Sequence, residues 1–429
     1  MHLGAFLRTA LASATSGGRR YHLWMGSLTA IMLLGAYAYS QQVRYGLGVT
    51  GMSDHVSWGL YISNFTFLVG LAAAAMMLVL PAYILEDVDF GRAVLLAEGV
   101  AVAALVMCLG FVVVDLGGPQ RGWHLIPGLG FLNWPRSLLS WDVLVLNGYL
   151  MLNLAIPFYI LYSRYAGRPP AKRKYLPWMY ISVMWAVSIH LVTAFLLAGL
   201  PARPFWNSAL LGPRFLASAF TAGPAFMILM LYVVRRNTEY AVTDAALSKL
   251  ALITTITAQV NLIMLVSELF YEFYWPTEHG ISARYLFFGL RGHHALVPWI
   301  WTAIGMNVLA TGSLMVHSIR RNPSLLMLAC AMLFVAIWVE KGMGLVIPGF
   351  LPSPLGEMVE YRPTWVELSV TAGIWAAGMF VLSVLVKVAL PIELGNVRSP
   401  YLEQEVPARI VRPRSTRTRQ EEVRPFRTH

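Results

Sequence analysis

Ten separate stretches of this chain stay apolar for about 20 residues each, the length a helix needs to cross the hydrocarbon core of a bilayer. They fall near 23–43, 56–84, 93–115, 140–163, 175–200, 212–234, 247–274, 295–318, 324–348 and 366–392. A single span in hydrocarbon can satisfy its backbone hydrogen bonds only as an α-helix. Charge content agrees: 12% of residues are Asp, Glu, Lys or Arg, about half of what a soluble domain uses to face water. The pattern predicts an all-α polytopic membrane protein of about ten transmembrane helices. The first run follows Arg8, Arg19 and Arg20 and has no small-residue cleavage site, so it reads as a retained helix rather than a removed signal peptide.

Successive spans point in opposite directions, so the connections form two sets. One set holds the N-terminus, the Arg92 turn, Arg164 to Lys174, Arg235 to Lys249, Arg320-Arg321 and the tail from Lys387, and it carries most of the 32 Lys and Arg. The positive-inside rule assigns that set to the cytoplasm. Both termini are then cytoplasmic, the span number is even, and the membrane is the plasma membrane of a bacterium or archaeon. The plan is an N-terminal segment over 1–22, a ten-helix domain over 23–392 and a basic tail over 393–429. This topology accounts for the net charge of +11. Nucleic acid is not an expected partner, because the Arg-rich stretch 409–427 lacks interleaved aromatics; such a tail sits near anionic lipid headgroups. The longest loops of the other set, 116–139, 275–294 and 349–365, are rich in Gly, Pro and aromatics and read as docking surfaces.

An ionised side chain at the centre of a span costs about 2.5–3.5 kcal/mol on insertion scales, so each one needs a reason. Glu98, Asp115, Asp142, His190, Glu268, Glu340, Lys341 and Glu367 fall in or at the ends of spans. On the predicted topology all but Glu98 lie in the outer half. Helical spacing puts Asp54, Ser57, Tyr61 and Asn64 on one face of the second span, and Asp142, Tyr149 and Asn153 on one face of the fourth. Thr254, Thr257, Asn261, Glu268 and Glu272 form a stripe along the seventh that would suit proton movement. Each has a plainer reading. Asp54 and His55 can cap a helix at the interface, Thr and Asn in membrane helices commonly bond to neighbouring helices, and Glu340 and Lys341 suit a structural ion pair or two separate snorkelling groups. Asp142, His190 and Glu268 are harder to dismiss, being three ionisable groups on three helices at one depth. They point to a polar cavity.

A haem-binding electron carrier would need paired His ligands inside its spans, and of ten His only His190 is mid-span. Cys108 and Cys330 sit in apolar runs without partner motifs, so neither an iron–sulfur cluster nor zinc is expected in this chain. Gly-Leu-Gly at 46–48 and at 128–130 lacks the strand–helix context of a nucleotide site.

Several segments carry a resemblance. Gly-Leu-Gly-Val-Thr-Gly-Met at 46–52, Val-Ser-Trp-Gly-Leu-Tyr-Ile-Ser-Asn at 56–64, Ser-Trp-Asp-Val-Leu-Val-Leu-Asn-Gly-Tyr at 140–149, Val-Glu-Lys-Gly-Met-Gly-Leu-Val-Ile-Pro-Gly-Phe at 339–350 and Tyr-Arg-Pro-Thr-Trp-Val-Glu-Leu at 361–368 resemble the NrfD/polysulfide reductase membrane-subunit family. They look closest to its DsrP-type branch, with the HybB-type hydrogenase subunit more distant. The resemblance implies two central four-helix bundles, spans two to five and six to nine, with peripheral first and last helices. It implies a haem-free subunit that reacts with a quinone, menaquinone or ubiquinone, and exchanges electrons with a periplasmic ferredoxin-like iron–sulfur subunit. In the DsrP-type branch, cytochrome and cytoplasmic iron–sulfur subunits are further partners, and the complex serves dissimilatory sulfur metabolism. Carried over to this sequence, His190, Glu268 and Glu367 match HybB-type positions, and Asp142 falls where a relative has Glu. The Asn and His of the polysulfide reductase pocket become Tyr61 and Phe65, with Asn64 and His190 as substitutes.

The expected site is therefore Asp142, His190 and Glu268 for proton chemistry, and Tyr61, Asn64, Asp142, Tyr149 and His190 for holding the quinone. The headgroup would enter between spans two, four and five, with His190 bonded to a carbonyl and Asp142 holding the imidazole or taking a proton. The rival reading is an ion-coupled secondary transporter, for which Pro157 and Pro224 supply the broken helices such proteins use. A third is an anchor that only holds peripheral subunits.

Overall fold

The computed structural model describes residues 2–399 apart from 127, 241 and 354. In chain order the helices are α1 (His2–Thr15), α2 (Arg19–Tyr45), α3 (Leu60–Ala74), α4 (Met76–Val79), α5 (Val88–Asp115), α6 (Leu138–Tyr165), α7 (Lys172–Ala198), α8 (Leu211–Asn237), α9 (Asp244–Tyr274), α10 (His279–Phe288), α11 (Val297–Met315), α12 (His317–Arg321), α13 (Pro323–Ile337), α14 (Gly344–Val346) and α15 (Trp365–Glu393). A π-helical turn, Leu80–Ile84, continues α4, and another, Trp338–Met343, joins α13 to α14.

Among the described residues, nine helical stretches are long and apolar enough to cross a membrane. The tenth expected span is α11. At 19 residues it is about 28 Å long, and Thr302, Asn307 and Thr311 dilute its apolar content. It packs against α9 and α13 as a full member of the array.

The helices assemble as two four-helix groups with a third pair outside. α3, α5, α6 and α7 pack together, as do α8, α9, α11 and α13, and the groups meet where α3 lies on α8. α2 and α15 pack on each other, and α15 leans on α5. Their crossing is close because two glycines face each other: a Cβ on Gly35 would stand 2.8 Å from Gly373 Cα. Small residues at a crossing let membrane helices gain dispersion contact along their length.

Both described chain ends lie on one side. Phe6 of α1 packs edge-on against Phe158, Tyr162 and Tyr165 at the end of α6, Ile392 of α15 joins that cluster, and Ser399 N donates to Tyr165 O at 2.9 Å. We call this the terminal side and the opposite one the distal side. The segment expected over 1–22 is thus a docked helix followed by the start of α2. Of the tail expected over 393–429, everything from 400 on lies outside the described residues.

On the distal side, Trp206 is fully buried and stacks on Trp58 at 5.7 Å, with Phe350 edge-on at 5.1 Å. The indole donates to Leu345 O at 2.9 Å. A second clamp is built around Glu367. Its Oε2 accepts from Gly51 N at 2.6 Å and from Thr364 N at 3.1 Å, and its Oε1 accepts from the Tyr361 hydroxyl at 2.6 Å. Thr364 and Glu367 form a capping box at the start of α15. Burial, reinforced by the Glu367 carboxylate, pushes the Tyr361 hydroxyl pKa up, so the phenol stays a donor.

One expectation about local structure fails. α3 starts at Leu60, whose N–H is held by the Tyr361 hydroxyl at 2.8 Å. Asp54 and Ser57 therefore precede the helix instead of sharing a face with Tyr61 and Asn64.

Candidate functional site

Asp142 lies in the second turn of α6, Thr193 and His190 in the last turns of α7, so antiparallel packing of these helices brings them to one level near the distal side. Asp142 is 1% exposed and His190 fully buried. Thr193 Oγ1 lies 2.9 Å from Asp142 Oδ1 and 2.8 Å from Ile189 O. One hydroxyl proton thus serves two acceptors, a shortage that ends when Asp142 itself carries a proton and donates. His190 Nδ1 lies 3.0 Å from Ala186 O. A carbonyl only accepts, so Nδ1 bears the hydrogen, and in the neutral ring Nε2 is left as a lone pair.

Two atoms of this group, Asp142 Oδ2 and His190 Nε2, have no partner. Buried polar atoms are nearly always satisfied, and the exceptions mark strain, ligands or water. A free carboxyl oxygen and an imidazole lone pair are both acceptors, which suits the two hydroxyl donors of a quinol. The residues present fit that group.

In the second bundle, Arg214 of α8 binds two acids: it is ion-paired with Glu268 of α9, and its Nη2 lies 2.9 Å from Glu340 Oε1. Asn307 of α11 donates to Glu340 Oε2 at 3.1 Å, and Thr311 donates to Asn307 Oδ1 at 3.3 Å. Glu340 and Lys341 are thus not paired with each other. Lys341 turns the other way, donates to Phe215 O at 3.1 Å, lies 4.3 Å from the centre of the Phe215 ring and packs on Gly70 of α3. No carboxylate pairs with it among the described residues. The π-turn that carries both residues shifts the helical phase by one position, a feature frequent at functional sites.

Lys341 sits where the two bundles meet. Its charge reaches His190 on one side and Arg214 on the other, and Cys108 of α5 lies within range of both Lys341 and Asp142. The result is a polar seam crossing the bundle boundary, from Glu268 through Arg214, Glu340 and Lys341 to His190, Thr193 and Asp142. Glu268 therefore reaches the seam as the partner of Arg214, on the far side of the boundary from Asp142.

The other expected residues do not converge on it. Tyr61 faces away, donating to Gln42 Oε1 of α2 at 2.8 Å. Asn64 Oδ1 accepts from two indoles, Trp338 at 3.0 Å and Trp375 at 2.9 Å. Tyr149 is two turns nearer the terminal side than Asp142 and meets Asn153 and Ser182. The stripe on α9 is interrupted: Thr254 donates to Leu250 O, and Thr257 to Phe220 O of α8 at 2.8 Å. Sequence reasoning missed Arg214 and Thr193. Arg214 stands three residues into an apolar run, a signal hidden when it is counted with the loop cations; Thr193 offers none until α6 is seen beside it.

Among the described residues no three His, Cys, Asp or Glu are grouped to hold a metal ion. An apolar cleft of about 420 Å³ between α11 and α13 runs along Pro298, Trp299, Thr302 and Met306 to Trp338 and Val339, ending one residue short of Glu340. A second cleft, of about 540 Å³, runs between α6 and α7 from Trp185 and Gly148 to Tyr159 and Lys174.

With this geometry in hand, comparison with known proteins narrows the reading. A selenate reductase subunit of Mesobacillus selenatarsenatis is 24% identical over 408 residues, covering 85% of this chain and 93% of that protein. A putative dimethyl sulfoxide reductase membrane subunit of Halobacterium salinarum is also 24% identical, over 87% and 92%. The Hdr-like menaquinol oxidoreductase integral membrane subunit of Archaeoglobus fulgidus is 24% identical over 53% of this chain and 54% of its own. The model of the family described as polysulphide reductase, NrfD, matches residues 48–352, the stretch that contains both four-helix bundles and the whole polar seam. The chain is an integral membrane protein and belongs to the NrfD polysulphide reductase family.

Proposed function

We propose that this chain is the quinol-interacting membrane subunit of a multi-subunit electron-transfer complex. The observation that carries this is the pair of buried, unpartnered atoms, Asp142 Oδ2 and His190 Nε2, on two helices that the Thr193–Asp142 hydrogen bond ties together. The names of the Archaeoglobus relative and of a menaquinone reductase integral membrane subunit from Nitratidesulfovibrio vulgaris, 29% identical over 104 residues, support a naphthoquinone as the substrate class.

A bound quinol supplies two electrons and two protons. His190 accepts a hydrogen bond, then a proton, at Nε2, while Ala186 O keeps Nδ1–H in place. Asp142 accepts the other proton at Oδ2, and Thr193 holds its carboxyl plane by the bond to Oδ1. The ammonium of Lys341, across the bundle boundary, repels the imidazolium so formed and helps pass its proton on. Ala186 O, rather than Asp142, holds the imidazole, so of its two expected roles Asp142 keeps that of proton acceptor.

Electrons pass to a ferredoxin-like iron–sulfur subunit docked on the distal face, which the Trp58–Trp206–Phe350 cluster braces from beneath. On this reading the terminal side, with its basic loops, is cytoplasmic in a bacterial or archaeal plasma membrane; reporter fusions placed after Arg321 test that. Cytochrome and cytoplasmic iron–sulfur subunits, and a link to dissimilatory sulfur metabolism, follow from the DsrP-type resemblance. The selenate and dimethyl sulfoxide reductase relatives show that terminal substrates differ among family members by name, so the gently purified complex, analysed for attached subunits, tests the sulfur assignment.

The central experiment is menadiol-linked electron transfer by the purified complex. His190→Ala and Asp142→Asn should each slow turnover on the order of 100-fold, the lower range for loss of a general base. Full activity in both variants would remove the assignment. An ion-coupled transporter would give no menadiol response even in the unaltered protein.

A further inference from the structure

Glu98 has no part in the seam. It lies on α5 ten residues past the start of the helix, about 15 Å along the axis, in the half of the molecule nearer the terminal side. Its side chain is 2% exposed, Oε2 has no hydrogen-bond partner, and no cation pairs with it among the described residues. An acid at this depth with no ion pair is a functional candidate by default.

Two hydroxyls from neighbouring elements lie within electrostatic range of it. Tyr149 of α6 lies within electrostatic range of Glu98 and is hydrogen-bonded with Asn153 and with Ser182 of α7. Tyr83, from the π-turn after α4, is in range of it from the terminal side, and also of Tyr175, Arg164 and Tyr240. Tyr83 and Tyr175 are edge-on at 5.7 Å, and Tyr175 lies in the first turn of α7, at the terminal-side end of the bundle. Pro157 has no N–H for the carbonyl of Asn153, four residues before it, so that oxygen is also available; Asn153 and Pro157 line a cavity of about 220 Å³ between α1, α5, α6 and α15. Glu98 therefore stands between hydroxyls that reach the terminal side and a Tyr149–Asn153–Ser182 group two helical turns below Asp142.

We propose that Glu98 is a proton relay that connects the terminal-side water, past Tyr83 and Tyr175, through Tyr149 to the Asp142–Thr193–His190 group. Each transfer moves one proton: the carboxylate becomes an acid on arrival and a carboxylate again on departure, and only O–H bonds form and break. The α9 stripe is the poorer route, because its threonine hydroxyls are committed to carbonyls and Asn261 cannot carry a proton as an acid does. The proposal rests on the quinol reading of the Asp142–His190 site, which supplies or consumes the protons.

The test uses the purified complex in liposomes, menadiol as donor and a pH-sensitive dye on the terminal side. Glu98→Gln should assemble with the same subunits and keep its KM for menadiol within about twofold, yet lose the terminal-side pH change and slow on the order of 10-fold or more. Glu98→Asp should recover part of both, and Tyr149→Phe should show a milder loss. A carboxylic-acid band in the redox-induced infrared difference spectrum should vanish in Glu98→Gln, which a packing defect would not cause. Unaltered turnover and proton yield in Glu98→Gln overturn the relay, as does the absence of any terminal-side pH change in the unaltered complex. Should Glu98→Gln fail to assemble, unchanged behaviour of Tyr149→Phe and Glu98→Asp overturns it. Loss of the underlying reading shows elsewhere, as full turnover in His190→Ala and Asp142→Asn.

Discussion

Arg214 carries more of the polar seam than any other side chain, because a single guanidinium is ion-paired with both Glu268 and Glu340. Removing it leaves two buried acids without a cation. Breaking a buried pair in this one-sided way costs on the order of 3–5 kcal/mol, so Arg214→Met should lower the thermal midpoint in detergent by several degrees. Arg214→Met combined with Glu268→Gln and Glu340→Gln should recover most of the loss, and a triple variant as unstable as the single one would refute the clamp. At this scale the sequence was partly legible. Asp142, His190 and Glu268 are conspicuous as ionisable groups in apolar runs, and all three are buried. What spacing could not reveal is partner choice: Tyr61 and Asn64 look like a shared face, yet one meets Gln42 and the other two tryptophans, since the helices on either side of α3 differ.

Helices show the same limit in another form. The apolar runs located each span to within a few residues, because hydrophobic length is a property of local composition. They could not show the π-turns at Leu80–Ile84 and Trp338–Met343, which change hydrogen-bond register without changing composition, nor that α3 begins at Leu60, which depends on a Tyr361 hydroxyl 301 residues away. Asp87 caps α5 by accepting from Asp89 N at 2.9 Å and Phe90 N at 3.2 Å, and Lys249 of α9 donates to its other oxygen at 2.6 Å. The Lys249 bond, helped by those two backbone bonds against the opposing desolvation, holds the Asp87 carboxyl below the usual range. A depressed carboxylate pKa contributes stability that is present above the unfolded value of about 4 and lost as pH falls through the folded one. Asp87→Asn should therefore melt earlier than the unaltered protein at neutral pH and converge with it below pH of about 4. Parallel melting curves from neutral to acid pH would show that the bond adds nothing.

At the scale of the molecule, two four-helix bundles joined along α3 and α8 make one packed body whose polar residues meet at the joint. The sorting of Lys and Arg anticipated that both described chain ends would share a side, since parity follows from counting spans. It could not anticipate the joint itself, because no sequence signal says that Lys341 lies between Phe215 and Gly70. The family match over 48–352 spans this body and leaves α2 and α15 outside it.

That separation has a consequence for how the protein is made. The glycine crossing of Gly35 with Gly373 joins the first of the described spans to the last of them. During synthesis α2 must wait in the bilayer, its partner face turned to lipid, until every other span has been inserted. Clasping of α2 by α15 thus reports that the spans between them are in place, and an unclasped α2 is a mark that a quality-control protease can read. A chain stopped before Trp365 should insert both bundles normally yet be degraded in cells several times faster than the full chain. Equal half-lives in a pulse-chase experiment would mean that the last helix is dispensable for escape from surveillance.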